Sequence, residues 1–317
     1  MVQETATVQG LRKAARAASA AYSQDEIAAI LHEPIIIVSA PRAGSTLLFE
    51  QLSRVPEFWT IGGESHGVFR AFPHLRAQNR ELDSGRLDRS HADRETCELM
   101  RACFLLLLRD HRGQSFMQTA PGKRPTRVTL VEKTPRNALN IEFLLEVFPT
   151  ARFIYLHRDA RQNTASLIEA WTVGLQTGRF VTFRDLPGWD RSGWCFLLAP
   201  DWQSMIGKSL AEIAAFQWAA ANEIVLRDLS RLDRDRWLPV SYANLVTDPH
   251  TVLREICAFS GIKPPAANDS NIGLPLSRTT LTPPDPEKWR KHEAAINAIL
   301  PVLERTERTI AATTSGK

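Results

Sequence analysis

Cysteine is scarce: four residues in 317, at positions 97, 103, 195 and 257. They make no C-x-x-C pair and stand at no metal-like spacing from histidine, so the pattern argues for core thiols in a reducing cytoplasm. No apolar run approaches the roughly 18 residues of a membrane span, and the short run at 104–108 reads as buried helix. An excess of one charge is also missing. Thirty-nine Lys and Arg stand against 35 Asp and Glu, for a net +4. That is too little for a nucleic-acid binder, yet it suits a substrate with several negative charges. The Ala-rich stretch 11–31 lacks the apolar core of a signal peptide and reads as one or two amphipathic helices. No internal repeat is present.

The most informative stretch is 35–48, Ile-Ile-Ile-Val-Ser-Ala-Pro-Arg-Ala-Gly-Ser-Thr-Leu-Leu. A β-branched run halts at Pro41 and passes through Arg42-Ala43-Gly44-Ser45-Thr46 into a Leu-rich segment, predicting strand, tight loop and helix. Such a loop aims backbone N–H groups and a helix N-terminus at one point, which attracts an anion. Gly44 allows close approach, Arg42 adds charge, and Ser45 and Thr46 add hydroxyls. A Walker A loop would carry G-x-x-x-x-G-K-[ST]; here Ser45 stands where that Lys belongs, so the usual triphosphate grip is lacking.

Further strands are expected at 58–61, 128–133 and 152–156, with a last one, demoted to an edge by Pro239, at 237–242. Helices are expected over 47–52, 66–110 with a bend near 83–85, from 137, over 159–170, 210–229 and 249–259, and from about 287 to 305. This alternation implies an α/β fold: three layers, α/β/α, around a central, mostly parallel sheet of P-loop-like nucleotide-binding type. The chain divides into a helical extension (1–33), one main domain (34–305) with an aromatic insert at 172–209, and a tail (306–317). In such sheets ligands bind beyond the carboxyl ends of the strands. Arg42, Lys133 and Arg158 all fall there, which argues for one anionic site.

Pro41 to Leu48 resembles the P-R-[SA]-G-[ST]-T-L loop of sulfotransferases that use 3′-phosphoadenosine 5′-phosphosulfate (PAPS, leaving PAP). The Arg is typical of the tyrosylprotein and carbohydrate branches and of many bacterial members, where cytosolic small-molecule members carry Lys. The resemblance implies that residues 42–46 wrap the 5′-phosphate. His157-Arg158-Asp159-Ala160, with Ser166 eight residues after the Arg, is similar to the family's 3′-phosphate motif. Ala160 departs from the usual Pro. Tyr242-Ala243-Asn244-Leu245 resembles the segment whose Tyr lies near adenine, although Ala243 and Asn244 replace an acidic pair. Residues 277–280 and 288–291 resemble a C-terminal region that closes over the cofactor; a solvated basic face is the other reading for 288–291.

Sulfonyl transfer needs a base for the acceptor hydroxyl and cations for the transferring group, with no metal. Lys133-Thr134-Pro135 matches a K-T-H segment except that Pro135 replaces the His, and Pro takes no proton. The base is therefore expected elsewhere. Gly63-Glu64-Ser65 resembles a G-E-E segment of tyrosylprotein sulfotransferases, making Glu64 the first candidate and His66 the second. Arg42 and Lys133 complete the catalytic set. Tryptophans 171, 189, 194 and 202, with Phe180, Phe183 and Phe196, crowd one long irregular stretch and predict a wall or lid of an acceptor pocket. The partner is then a small or carrier-bound hydroxylated acceptor with an apolar portion. A nucleotide kinase and a catalytically silent nucleotide-binding scaffold are the alternatives.

Overall fold

Four consecutive buried residues, Ile35–Val38, form β1 at the centre of the sheet. The computed structural model describes residues 2–264, 281 and 285–315; the 277–280 segment lies outside them. The described strands continue with β2 (Phe58–Trp59), β3 (Thr129–Lys133), β4 (Arg152–His157), β5 (Val181–Phe183), β6 (Trp194–Cys195) and β7 (Trp237–Ser241). Five of these make a sheet of order β2-β3-β1-β4-β7, and every pairing in it is parallel. The edge position of β7 accommodates Pro239, whose missing N–H removes no central ladder bond.

Alternation along the strands generates the three layers. Ile36 and Val38 of β1, Leu130 of β3, and Phe153 and Tyr155 of β4 face one core. Ile35, Ile37, Val131, Ile154 and Leu156 face the other. Both faces are covered, as a parallel sheet requires. Helices Ser45–Leu52 and Pro249–Phe259 supply the second layer. Helices Arg94–Leu107, Ile141–Val147, Ala160–Thr177 and Leu210–Leu229 supply the first. The N-terminal helix Val2–Ala21 packs on Arg94–Leu107, and Ala15 and Ala18 join that core.

Three local expectations change. The span 66–110 is one helical turn, His66–Arg70, then 3₁₀ turns at Pro73–Leu75, Ala77–Asn79 and Arg89–His91, then the helix Arg94–Leu107. Pro73 and the capping carboxylates of Asp88 and Asp93 divide it. The expected helix from 287 to 305 is a 3₁₀ turn, Lys288–His292, a short helix, Glu293–Ala298, and a longer one, Leu300–Thr314. Pro301 ends one and opens the next. The last helix runs well past 305: Thr306 is buried against Glu223, and Glu307 accepts the amide of Ala160 at 3.0 Å. Finally, Ala160–Thr177 carries the chain beyond 172, and the aromatic stretch then forms the antiparallel pair β5–β6.

Candidate active site

The loop after β1 owes its shape to two left-handed residues, Arg42 (φ 66°) and Gly44 (φ 105°). At Gly44 a Cβ would stand 2.4 Å from Cδ2 of Tyr242, so only glycine lets that ring close on the backbone. The amide of Ala43 donates to Ala40 within the turn, and Ala43 is buried away from the cleft; the amides of Gly44, Ser45 and Thr46 begin the helix Ser45–Leu52. Asn163 Nδ2 donates to the Pro41 carbonyl at 2.8 Å and anchors the loop from below.

Arg42 and Arg158 approach from the ends of neighbouring strands. Arg158 donates to the Arg42 carbonyl at 3.3 Å, and its guanidinium lies 4.3 Å from the centre of the Tyr242 ring. The Ser166 hydroxyl accepts from Arg42 Nε at 3.4 Å, and Arg158 donates to Gln162. Arg42 also lies over Phe180. Burial, then Arg158 and Arg179, lowers its pKa to about 10, which leaves it charged. Burial lowers Arg158 as well. Arg42 and Arg158, both half-buried, thus share one end of the cleft.

Lys133 closes β3 and is 1% exposed. Its Nζ donates to the Thr46 hydroxyl at 3.1 Å and to Glu64 Oε1. The other oxygen of Glu64 meets His66 Nε2 at 3.0 Å. Burial alone would raise the Glu64 pKa, but the His66 hydrogen bond and Lys133 outweigh it and hold the carboxyl at about 2. The candidate base, its alternative and the candidate cation thus form one hydrogen-bonded chain.

One buried group behind this chain carries no signal in the sequence. Glu132 precedes Lys133 on β3 and points to the opposite face. Its carboxylate accepts the Ser65 and Thr134 hydroxyls, both at 2.6 Å, and the Asn137 amide. Ser65 N–H in turn donates to Thr134 at 2.7 Å. Glu132 therefore ties the Glu64–His66 loop to the end of β3. Burial raises its pKa above the ordinary carboxylate range.

One cleft of about 980 Å³ runs past the anion loop, Arg158 and the Glu64–His66 pair. Arg42, Gly44, Arg158, Ser166 and Tyr242 line one part; Glu64 and His66 also line it. Apolar walls come from Phe69, Leu87 and Leu139, and from Phe180, Phe183 and Phe196 of the aromatic stretch. The tryptophans expected beside them sit behind the wall. Trp171, Trp194 and Trp202 are fully buried in their own cluster with Leu198 and Ile213. Lys288 and Trp289 reach the cleft, Lys288 pairing with Glu169 at 2.6 Å, while Arg290 and Lys291 face outward. Among the described residues no His, Cys, Asp or Glu cluster could hold a metal ion. No described helix is long and apolar enough to cross a membrane.

Comparison with known proteins finds similar chains. The chain is 24% identical over 229 residues to protein-tyrosine sulfotransferase 2 of Gallus gallus, covering 72% of this chain and 51% of that protein. It is 25% identical over 227 residues to a protein-tyrosine sulfotransferase of Drosophila melanogaster, covering 71% and 37%. The chain thus spans about half the length of one relative and about a third of the other. Sulfotransferase STF9 from Mycobacterium avium superposes with a TM-score of 0.49 at 17% identity, over 94% of this chain and 82% of that one. The model of the sulfotransferase family matches residues 34–265, from the strand before the anion loop to the end of the second layer, and on that match the chain belongs to the sulfotransferase family.

Proposed function

We propose that this chain transfers a sulfonyl group from PAPS to a hydroxyl of an acceptor with an apolar portion. The carrying observation is the convergence of Arg42, Lys133 and Arg158 at adjacent strand ends, with the hydroxyls of Thr46 and Ser166 between them. The donor set fits the cofactor: every one of these groups donates hydrogen bonds, and the Gly44 cradle has no room for a Cβ. Arg42, the amides of 44–46 and Lys133 would hold the 5′ end. Arg158 and Ser166 would hold the 3′-phosphate, and Tyr242 would pack against the adenine. Bound there, PAPS supplies an activated sulfonyl group.

The residues then have distinct tasks. Glu64 takes the acceptor proton on a carboxylate oxygen, and Lys133 places positive charge where negative charge grows. At rest, Lys133 and His66 keep Glu64 a weak base. An anion that engages Lys133 Nζ loosens that hold and raises the proton affinity of the carboxylate. The 3.0 Å contact favours one second reading, in which Glu64 orients His66 and the imidazole takes the proton. The apolar wall of Phe69, Phe180 and Phe196 excludes water from the hydroxyl and binds the acceptor's apolar part.

Calorimetry with PAP and its 3′-dephospho analogue tests the cofactor assignment. Losing a charged hydrogen bond costs about 1.5–3 kcal/mol, so Arg158→Ala is expected to weaken PAP by more than about tenfold. The dephospho analogue should be nearly unaffected. Equal losses for the two nucleotides would refute the assignment.

A further inference from the structure

Arg136 occupies the 3₁₀ turn Pro135–Leu139, just beyond Lys133, and lines the same cleft. Its guanidinium lies 5.5 Å from the centre of the Phe69 ring. Its Nε is buried and has no hydrogen-bond partner. Among the described residues no carboxylate stands within ion-pair distance of it. The charged neighbour that acts on it is Arg70, of the same sign, and burial with Arg70 brings its pKa to about 10, still protonated at neutral pH. Burying a guanidinium nitrogen with no partner is unfavourable unless an anion arrives to pair with it. The nucleotide groups have their own cations at Arg42 and Arg158, on other strand ends.

We propose that Arg136 is a binding site for an oxyanion of the acceptor, a carboxylate or phosphate carried by an amphiphile whose apolar part lies against Phe69, Leu87 and Leu139. The proposal rests on the sulfotransferase reading, which places the reacting hydroxyl at Glu64 and Lys133. Two residues separate Lys133 from Arg136, so their Cα atoms are at most about 11 Å apart. Arg136 and Glu64 line the same cleft, so one acceptor can reach both. A guanidinium suits this task because its planar fork takes two oxygens at once.

The test is calorimetry on the full chain saturated with PAP, with octanoate, octyl phosphate and octanamide as probes. The wild type is expected to bind at least one of the anions about tenfold or more tighter than the neutral amide; which anion wins names the group. Arg136→Gln should bring that preference to within about twofold without changing PAP affinity. Arg136→Lys, which keeps charge but loses the fork, should lose most of it. Equal binding of the three probes by the wild type overturns the proposal, as does a preference that survives Arg136→Gln, or displacement of the anions by PAP. If Arg136→Gln does not fold, an unchanged preference in Arg136→Lys overturns it instead. A wild-type chain that fails to bind PAP in the first titration sinks the cofactor reading separately, and the probe comparison is then made without PAP and judged the same way.

Discussion

Glu64→Gln separates chemistry from architecture because it keeps the shape of the side chain and removes its charge. In the native chain Lys133, 1% exposed, has Glu64 as its ion-pair partner and also donates to the Thr46 hydroxyl. Removing one partner of a fully buried pair costs about 3–5 kcal/mol, whereas an exposed pair is worth under about 1 kcal/mol. The Glu64 side chain is 30% exposed, which puts the loss between these limits, at about 2 kcal/mol near neutral pH. The fall of its pKa from the ordinary 4.5 to about 2 sets a ceiling of about 3 kcal/mol before solvent screening is allowed for. The sign follows from the lowered folded value. The contribution is complete above the unfolded pKa and fades as pH falls from about 4.5 towards 2. Urea unfolding at pH 7, 5 and 3.5 is therefore expected to show a gap between variant and wild type that narrows with acidity. Transfer assays on the same preparations should show a rate lower by about 10²–10⁴-fold. Wild-type turnover by Glu64→Gln together with an inactive His66→Asn would refute the role given to Glu64 and make His66 the base. A pH-independent stability gap would refute the electrostatic account of Lys133.

Gly44→Ala is expected to cost about 1–3 kcal/mol in thermal or urea unfolding and to weaken PAP, because the new Cβ meets Tyr242 and φ is 105°; adding Tyr242→Ala should recover only part of the stability, since the backbone strain persists. Glu132→Ala should destabilise by about 2–4 kcal/mol, leaving the Ser65, Thr134 and Asn137 donors unpaired, while Glu132→Gln, which burial of the native carboxyl already favours, should cost less than about 1.5 kcal/mol. Trp194→Ala should cost about 3–5 kcal/mol, given its edge contacts with Trp171, Trp189 and Trp202 at 4.8–5.8 Å between ring centres. Phe196→Ala, on the cleft wall, should spare stability by comparison and instead raise the acceptor KM.

What the sequence makes legible follows from where each signal resides. The strand, loop and helix at 35–52 are encoded locally, by β-branching, Pro41 and Gly44, and they fold as read. Lys133 and Arg158 are found because the end of an apolar run marks the end of a strand, and a parallel sheet puts such ends on one side. Glu132 escapes because its neighbours in the run give no hint that a carboxylate has three donors waiting across the Ser65 loop. The contact between Arg42 and Ser166 is likewise invisible to linear spacing. Arg158 is eight residues away in sequence, yet Arg42, from another strand, reaches the hydroxyl. Over 66–110 the apolar spacing suits a helix, and the punctuation at Pro73, Asp88 and Asp93 decides otherwise. The tryptophans show the limit of composition: it announces an aromatic stretch, while only packing decides that phenylalanines face the cleft and indoles face away.

Tyr242 begins the segment after β7, its ring rests on the backbone of the loop after β1, and Arg158 from the end of β4 lies over it. Since β4 lies between β1 and β7, this ring bridges from an edge strand to the centre of the sheet across the top of its neighbour. Edge strands are usually the first to open in local fluctuations. A nucleotide that clamps Arg158 and packs on Tyr242 must stabilise the closed edge by its binding energy, about 2.7 kcal/mol at a hundredfold excess over Kd. The amides of Trp237, Leu238, Val240 and Ser241 would then exchange with solvent more slowly when PAP is bound, although they lie below the cleft. Cofactor occupancy would be recorded in the breathing of the strand that carries Pro239.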